Sequence, residues 1–190
     1  NKNRFRTTLK KLGHPTPKFF VINNKNLNQI NSVIKEIGFP LIVKNSDSSG
    51  SRGTRIFDKK NTNEIKKQIE LAIKVSRSGN ALIEECWEGS EHTVETIFDV
   101  NGEFHPCFIT DRIFDKKNGY PVEIELFHPS KLPISVQKEM FDIAKKVATD
   151  LGITIGAAKY DMILTKNGIR IIEMTVRLSG GFDCQYLVPA

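Results

Sequence analysis

In the first part of the chain, segments with the apolar spacing of a helix alternate with short apolar runs typical of strands. In residues 26–37 apolar side chains recur at three- and four-residue intervals, and Gly38 follows the last of them. Helices are predicted at 2–12, 26–37 and 61–75, and strands at 18–22, 39–44 and 55–57. This order predicts a first α/β unit that ends near residue 80.

Beyond that point the pattern changes to alternation of apolar and polar residues. His92–Val100 and Glu103–Arg112 both alternate, and Asn101-Gly102 between them is a strong hairpin signal. Ala157–Thr165 and Ile169–Thr175 predict a last hairpin. Other strands are predicted at 81–84 and 121–127, and a helix at 135–151 with Ser135 as N-cap and Gly152 just past its end. We therefore predict a second, mostly antiparallel unit with at least one helix.

The turn of the last hairpin decides which of its side chains share a face. We predict a three-residue turn, Lys166-Asn167-Gly168, with Gly168 in the left-handed conformation and Thr165 opposite Ile169. A two-residue turn would instead place the two acids of the hairpin on opposite faces. The face predicted with the three-residue turn carries Lys159, Asp161, Glu173, Thr175 and Arg177, with Asp161 opposite Glu173 and Lys159 opposite Thr175.

Two acids directly opposite each other need a compensating cation. Cross-strand neighbours have Cβ atoms about 4.5–5.5 Å apart, and like charges at that distance are destabilising. Magnesium prefers oxygen ligands and substrate phosphates, so Asp161 and Glu173 predict a magnesium site. The alternative is a solvated hairpin face on which Lys159 and Arg177 neutralise the acids.

A polar loop after the second predicted strand is a candidate anion site. Lys44 ends the strand, and residues 46–54 that follow are rich in Ser and Gly. Such a loop presents backbone N–H groups to an anion, and Lys44 adds a positive charge. The Gly-Lys-Ser/Thr ending of a Walker motif is absent from the sequence. An ordinary connecting loop is the alternative.

Two further segments carry candidate binding groups. Residues 82–91 run from an apolar strand into a crossing segment whose backbone can contact an adenine edge and whose Glu91 can accept from ribose hydroxyls. A surface linker is the alternative. In residues 176–182, Arg177 lies among small residues and suits phosphate or carboxylate recognition, although a simple turn would also fit.

Composition narrows the classes of partner. The net charge of +6 suits an anionic ligand, but the basic residues are scattered and not interleaved with aromatics, which argues against a nucleic-acid-binding module. The three cysteines lie far apart without metal-ligand spacing, which fits reduced thiols in a cytoplasmic protein. No apolar run predicts a membrane segment. The ends of the chain indicate a domain of a longer protein.

Four segments, in this order, resemble the ATP-grasp superfamily of mainly ATP-dependent carboxylate–amine ligases, and are similar to carbamoyl-phosphate-synthase-like members. The segments are NKNRFRTTLKKLGHPTP, FPLIVKNSDSSGSRG, ALIEECWEGSEHTVE and AAKYDMILTKNGIRIIEMTVRLSGG. The resemblance implies an α+β ATP-grasp fold with ATP bound between two α/β lobes. It implies a linker helix at 1–16, a small lobe with the Gly-rich loop at 17–83, and a large lobe at 84–190 that is truncated at its C-terminal end.

The resemblance also implies roles for individual residues. Arg177 and Lys159 would be catalytic, with Arg177 steadying an acyl-phosphate, and Asp161, Glu173 and Thr175 would bind Mg²⁺, or Mn²⁺ in its place. Many members carry Asn where this chain has Thr175, so a second metal is expected to be held more loosely. The residues expected to bind ATP are Lys2, Lys44, Ser49, Gly50, Ser51, Gly53, Glu84, Glu85, Trp87 and Glu91.

The reaction implied by the resemblance is phosphoryl transfer from ATP to a small-molecule carboxylate, followed by attack of an amine on the acyl-phosphate. We expect a cytoplasmic ligase, with a homodimer as the candidate assembly and neither nucleic acid nor membrane as partner. The alternatives are a nucleotide-binding phosphotransferase and a catalytically silent ATP-binding domain on the same fold.

Overall fold

The structure is a computed structural model that describes residues 1–47, 53–180 and 186–187. The chain forms two compact units. Unit 1 comprises Asn1–Lys11, Thr16–Trp87 and Phe114–Ile124, and unit 2 comprises Leu12–Pro15, Glu88–Ile113 and Glu125–Ala190. No helix in the described part of the chain is both long enough and apolar enough to cross a membrane.

Unit 1 contains a four-stranded antiparallel sheet in the order β1-β4-β2-β3. Its elements are α1 (Lys2–Lys11), β1 (Phe19–Ile22), α2 (Ile30–Ile37), β2 (Leu41–Asn45), β3 (Arg55–Phe57), α3 (Thr62–Val75) and β4 (Ala81–Glu85). The prediction that a helix begins at residue 26 is wrong, since Leu27–Gln29 is a 3₁₀ turn. The Asn26 side chain accepts from the backbone of Asn23 and donates to Val21, which favours a turn over a helix start.

The two faces of this sheet differ because strand residues alternate in direction. Leu41 and Val43 of β2 and Ile83 of β4 pack with α2 and α3 into one buried core. Lys44 and Glu84 lie one position further along the same strands and therefore face the opposite side. The Lys44 and Glu84 side chains are thus separated from the apolar core by the sheet itself.

Unit 2 is built on a five-stranded sheet in the order β7-β6-β5-β8-β9. Its elements are β5 (Ser90–Phe98), β6 (Phe104–Asp115), β7 (Val122–Phe127), α4 (Ile134–Asp150), β8 (Gly156–Thr165) and β9 (Gly168–Thr175), and a 3₁₀ turn (Lys117–Gly119) precedes β7. The segment Phe114–Ile124, which contains the ends of β6 and β7, is counted with unit 1. Two sheets with four α-helices in the described residues confirm the predicted α+β class.

Helix α4 packs against β5 and β8 and covers one face of this sheet. Met140, Ala144 and Val147 are buried on the helix side, and Tyr160 and Met162 on the sheet side. The prediction of Ser135 as N-cap is wrong. Pro133 is the N-cap, and its carbonyl accepts from two helical amides without any side-chain cap. Gly152 follows the helix in a left-handed conformation (φ 76°), as predicted.

The last hairpin differs from the predicted one at its turn and agrees with it further along the strands. Thr165 pairs with Gly168, so the loop is the two-residue Lys166-Asn167, and the predicted pairing of Thr165 with Ile169 is wrong. A β-bulge then leaves Ile172 as one extra residue on β9. This extra residue shifts the register by one, so that Asp161 lies opposite Glu173 as predicted.

A close backbone approach holds the 3₁₀ turn before β7 against β3 in unit 1. Gly119 has φ 80°, and a Cβ there would lie 2.2 Å from the Ile56 carbonyl oxygen. Arg55 adds contacts to the same segment, with its Nε donating to the Asn118 carbonyl at 3.2 Å and its guanidinium over the Tyr120 ring.

Gly119→Ala should therefore destabilise the protein more than a glycine replacement that meets no neighbour. We expect a loss of about 2–5 kcal/mol, because left-handed strain and overpacking add. Gly152→Ala is the matched control, since Gly152 has a similar φ but no neighbouring atom within 4 Å of the place where its Cβ would lie, and about 1–2 kcal/mol is expected there. Urea unfolding measures both, and equal losses would contradict the close packing.

Candidate functional site

A buried cluster of three charged side chains lies on the face of the unit 1 sheet opposite its apolar core. Arg6 Nε donates to Glu84 Oε1 at 2.6 Å, and Lys44 Nζ donates to Glu84 Oε2 at 2.9 Å. The Arg6 and Glu84 side chains are 3% and 1% exposed, and Lys44 is 12% exposed. One carboxylate therefore pairs with two cations away from water, and the cluster keeps a net positive charge.

Glu84 remains ionised at neutral pH in spite of its burial. Burial by itself raises the pKa of Glu84, but the charges of Arg6 and Lys44 and their hydrogen bonds outweigh it and lower the pKa to about 2. Lys44 is thereby held in a fixed position by a permanent negative charge.

The segment predicted to contact an adenine includes the end of β4, and two of its backbone amides already have partners. The amides of Glu85 and Cys86 donate to the carbonyls of Lys18 and Pro40. Glu85 is exposed, and Trp87 is half-buried with the Arg6 guanidinium 5.9 Å from its ring centroid. Trp87 thus joins the charged cluster to the predicted adenine segment.

The predicted phosphate loop is described only at its two ends. The Lys2 amide donates to the Ser46 carbonyl at 2.7 Å, and the Asp47 carboxylate accepts from the turn after α3. At the other end, Gln68 donates to the Gly53 carbonyl at 2.9 Å. Both ends are therefore fixed to unit 1. The predicted residues Ser49, Gly50 and Ser51 lie outside the described residues.

Most side chains on the face of the unit 2 sheet opposite α4 are polar. Directly paired residues of antiparallel strands share a face, so the register places side chains in rows across four strands. The central row consists of Thr110, Thr93, Asp161 and Glu173. One neighbouring row on the same face consists of Phe108, Glu95, Lys159 and Thr175. The neighbouring row on its opposite flank, still on the same face, contains Arg112, Glu91 and Ile163. We call this the polar face. It brings together Glu91, Lys159, Asp161, Glu173 and Thr175 from the sequence prediction.

Asp161 is the most highly connected acid of the polar face. Its Oδ1 atom accepts a hydrogen bond from Thr93 Oγ1 at 3.2 Å and lies 2.8 Å from Lys159 Nζ and 3.0 Å from Arg112 Nη1 in two ion pairs. The Asp161 side chain is 13% exposed. Cationic neighbours thus compensate Asp161, but Arg112 takes the part that the sequence interpretation gave to Arg177.

The donor set of the polar face suits a magnesium ion. Glu173 lies opposite Asp161, and Thr175 follows on the same face. Thr175 Oγ1 is buried and has no hydrogen-bond partner among the described residues. A buried hydroxyl without a partner is costly, so this atom is available to a ligand. Two carboxylates and a hydroxyl are oxygen donors of the kind that Mg²⁺ and Mn²⁺ prefer.

The segment after β9 is anchored to the polar face through its backbone. The Ser179 amide donates to Glu95 Oε1 at 3.0 Å, and both residues are buried. Arg177 is exposed, and its guanidinium donates to the Leu178 carbonyl at 2.6 Å. Glu95 therefore fixes the segment that carries Arg177, although the Arg177 guanidinium is directed to its own segment and not to a group of the polar face.

Four residues of these clusters were not singled out from the sequence. Thr93 and Glu95 follow Glu91 at intervals of two, so strand alternation could have placed them on the polar face. Arg6 lies three residues before the buried Leu9, so the helical spacing could have indicated its burial. The proximity of Arg112 to Asp161 follows from the pairing register of β5 with β6 and β8, which the sequence alone does not show.

A solved enzyme structure shares this fold. Biotin carboxylase of Campylobacter jejuni, in a β,γ-ATP complex, superposes with a TM-score of 0.77 at 21% identity, over 95% of this chain and 41% of that one. The sequence matches the family described as D-ala D-ala ligase C-terminus over residues 8–179. The chain belongs to this family, within the ATP-grasp superfamily.

Two curated relatives are similar over parts of the sequence. Formate-dependent phosphoribosylglycinamide formyltransferase of Prochlorococcus marinus is 34% identical over 130 residues, which are 67% of this chain and 32% of that protein. The carbamoyl phosphate synthase large chain of Methanosphaerula palustris is 29% identical over 89 residues, or 47% of this chain and 8% of that protein. The chain thus spans about a third or less of these two relatives.

The buried Glu84 should make stability depend on pH in the acid range. Its lowered pKa means that the stabilisation is complete above the ordinary value of 4.5 and is lost as the pH falls towards 2. A shift from 4.5 to about 2 corresponds to roughly 3 kcal/mol of unfolding free energy. In Glu84→Gln we expect this contribution to be absent, with a loss of about 3–5 kcal/mol at neutral pH because Arg6 and Lys44 lose their counter-charge.

Urea unfolding at a series of pH values measures this difference. The free energies of wild type and Glu84→Gln should converge between about pH 5 and pH 2. The exposed Glu139→Gln on α4 is the control and should follow the wild-type curve. Parallel curves for wild type and Glu84→Gln would contradict the ionised, buried Glu84.

Proposed function

We propose that this chain is the nucleotide-binding part of an ATP-dependent carboxylate–amine ligase. It binds ATP with magnesium and activates a small-molecule carboxylate as an acyl-phosphate, which an amine then attacks. The observation that carries the proposal is the pairing of Asp161 with Glu173 on the polar face, next to the buried Thr175 hydroxyl that has no partner among the described residues. Membership in a ligase family supports it.

Residues of unit 1 would bind the nucleotide. Lys2 and Lys44 would contact phosphate oxygens, with Gly53 and the loop residues Ser49, Gly50 and Ser51 covering them. The segment from Glu84 through Glu85 to Trp87 would contact the adenine, and Glu91 would accept hydrogen bonds from the ribose. In this scheme Arg6 supports Lys44, because it still neutralises the buried Glu84 when Lys44 turns towards a phosphate.

Asp161, Glu173 and Thr175 would hold the metal. Bound there, magnesium supplies positive charge that neutralises the phosphoryl oxygens. Lys159 lies opposite Thr175 and would add a second positive charge near the transferred phosphoryl group. Arg177 would bind the acyl-phosphate, and the Glu95–Ser179 hydrogen bond would hold its segment in place. A homodimer and a cytoplasmic location remain further proposals.

Asp161→Asn and Glu173→Gln test the metal site. The chain contains one tryptophan, Trp87, whose fluorescence would change on nucleotide binding if it contacts the adenine as proposed. We expect the wild-type protein to bind ATP more tightly with Mg²⁺ than with EDTA. In both variants the factor by which Mg²⁺ tightens ATP binding should fall at least about tenfold, since each substitution removes a charged ligand.

The quantity that decides this test is the ratio of the dissociation constant for ATP in EDTA to that in Mg²⁺. Asp161→Asn also releases Lys159 and Arg112, which could change ATP affinity without metal, whereas the ratio isolates the metal. Asp142→Asn, an exposed acid on α4, is the matched control. A wild-type ratio in both site variants would remove the basis of the proposal.

Hydroxylamine trapping tests the chemistry. The names of the relatives suggest formate and D-alanine as the first carboxylates to supply with Mg-ATP. The carboxylate oxygen attacks the γ-phosphorus and ADP leaves; hydroxylamine then attacks the acyl carbon and phosphate leaves, giving a hydroxamate. We expect the wild-type protein to form hydroxamate and ADP together, and the Lys44→Met variant to form neither product.

Other outcomes of trapping would favour the alternative functions. ADP together with a phosphorylated product that is stable to hydroxylamine would favour a phosphotransferase. Nucleotide binding that depends on Mg²⁺ but never yields ADP would favour a catalytically silent domain.

A further inference from the structure

The Asp161 carboxylate is held by one of its two oxygens. Thr93 Oγ1 donates a hydrogen bond to Oδ1, and the ion-pair distances to Arg112 Nη1 and Lys159 Nζ are measured to the same atom. Among the described residues, the hydrogen bond to this carboxylate is made at Oδ1 and none is made at Oδ2. These three contacts on one atom orient the carboxylate, and they leave the second oxygen without a hydrogen bond from the described residues.

Thr93 is the donor of this set that cannot contact a ligand itself. It is 2% exposed, whereas Arg112 and Lys159 are 14% and 17% exposed. In the sheet it lies between Thr110 of β6 and Asp161 of β8, directly paired with both. Any effect of its hydroxyl on bound metal must therefore pass through Asp161.

The neutral hydroxyl of Thr93 also separates orientation from charge. Arg112 and Lys159 orient Asp161, but their positive charges oppose a metal ion at the same carboxylate. Thr93 donates a hydrogen bond without adding charge. Removing its hydroxyl therefore alters the hold on the carboxylate and leaves the electrostatic repulsion unchanged.

We propose that Thr93 is a positioning residue for the metal site: its hydroxyl holds Asp161 Oδ1 and so presents Oδ2 as the single oxygen for a divalent cation. This inference rests on the proposed function, because it assumes that Asp161 binds metal. Hydrogen bonds to the far side of a ligand orient it, and their loss typically weakens metal binding by about 10–100-fold.

Thr93→Val and Thr93→Ser form a matched pair for the test. Valine keeps the branched shape of threonine on a buried strand and removes the hydroxyl. Serine keeps the hydroxyl and removes a methyl group. If Thr93 acts by positioning, the valine variant should lose metal affinity and the serine variant should retain it. If Thr93 acts by packing, the reverse order is expected.

Titration with Mn²⁺, followed by the electron paramagnetic resonance signal of the free ion, measures the metal directly. In the presence of a non-hydrolysable ATP analogue we expect Thr93→Val to bind Mn²⁺ about tenfold more weakly or worse, and Thr93→Ser within about twofold of wild type. Thermal midpoints and analogue affinity in EDTA should stay at their wild-type values in both. Wild-type Mn²⁺ affinity in Thr93→Val, or equal losses in both variants, would overturn the inference.

Asp161→Asn in the same titration separates this inference from the proposed function. If Asp161→Asn binds Mn²⁺ as wild type does, the metal assignment itself fails, and the positioning role fails with it. If Asp161→Asn loses Mn²⁺ and Thr93→Val does not, the metal site stands and only the positioning role fails.

Discussion

The alternation of side chains along paired strands is the constraint on which both candidate clusters depend. In unit 1 it sends Leu41 and Val43 into the apolar core and Lys44 to the opposite face. In unit 2 it sends Tyr160 and Met162 to the face that α4 covers and Asp161 to the polar face. Each sheet therefore packs an apolar core on one face and carries its cluster of charged groups on the other.

The charged groups follow the same plan in both units. In unit 1 Glu84 lies between Arg6 and Lys44, and in unit 2 Asp161 lies between Arg112 and Lys159. Each carboxylate holds one arginine and one lysine, and each lysine is one that the proposal assigns to phosphate chemistry. Because guanidinium stays charged at all relevant pH values, the arginine neutralises its carboxylate whether or not the lysine contacts it.

Most elements of the fold could be predicted from periodicity, because helices and strands of this length carry a clear pattern. The start of α4 could not be predicted in this way, since its N-cap is Pro133, which uses its backbone carbonyl, and not the side chain of Ser135. The pairing of Asp161 with Glu173 was predicted with the wrong turn, and the bulge at Ile172 compensates for that error. The contacts of Arg6 with Glu84 and of Arg112 with Asp161 are tertiary: they join residues 78 and 49 positions apart in the sequence, a separation that local patterns do not encode.

Because of the bulge at Ile172, the number of residues in the last hairpin determines whether its two acids share a face. Removing one residue anywhere between Asp161 and Glu173 would turn Glu173 towards α4, unless a second change restored the count. Natural variation in this hairpin should therefore come as paired changes: a relative that lacks the extra residue at the bulge should have one more in its turn. When relatives are aligned, gaps here should be placed so that the two acids stay opposite each other.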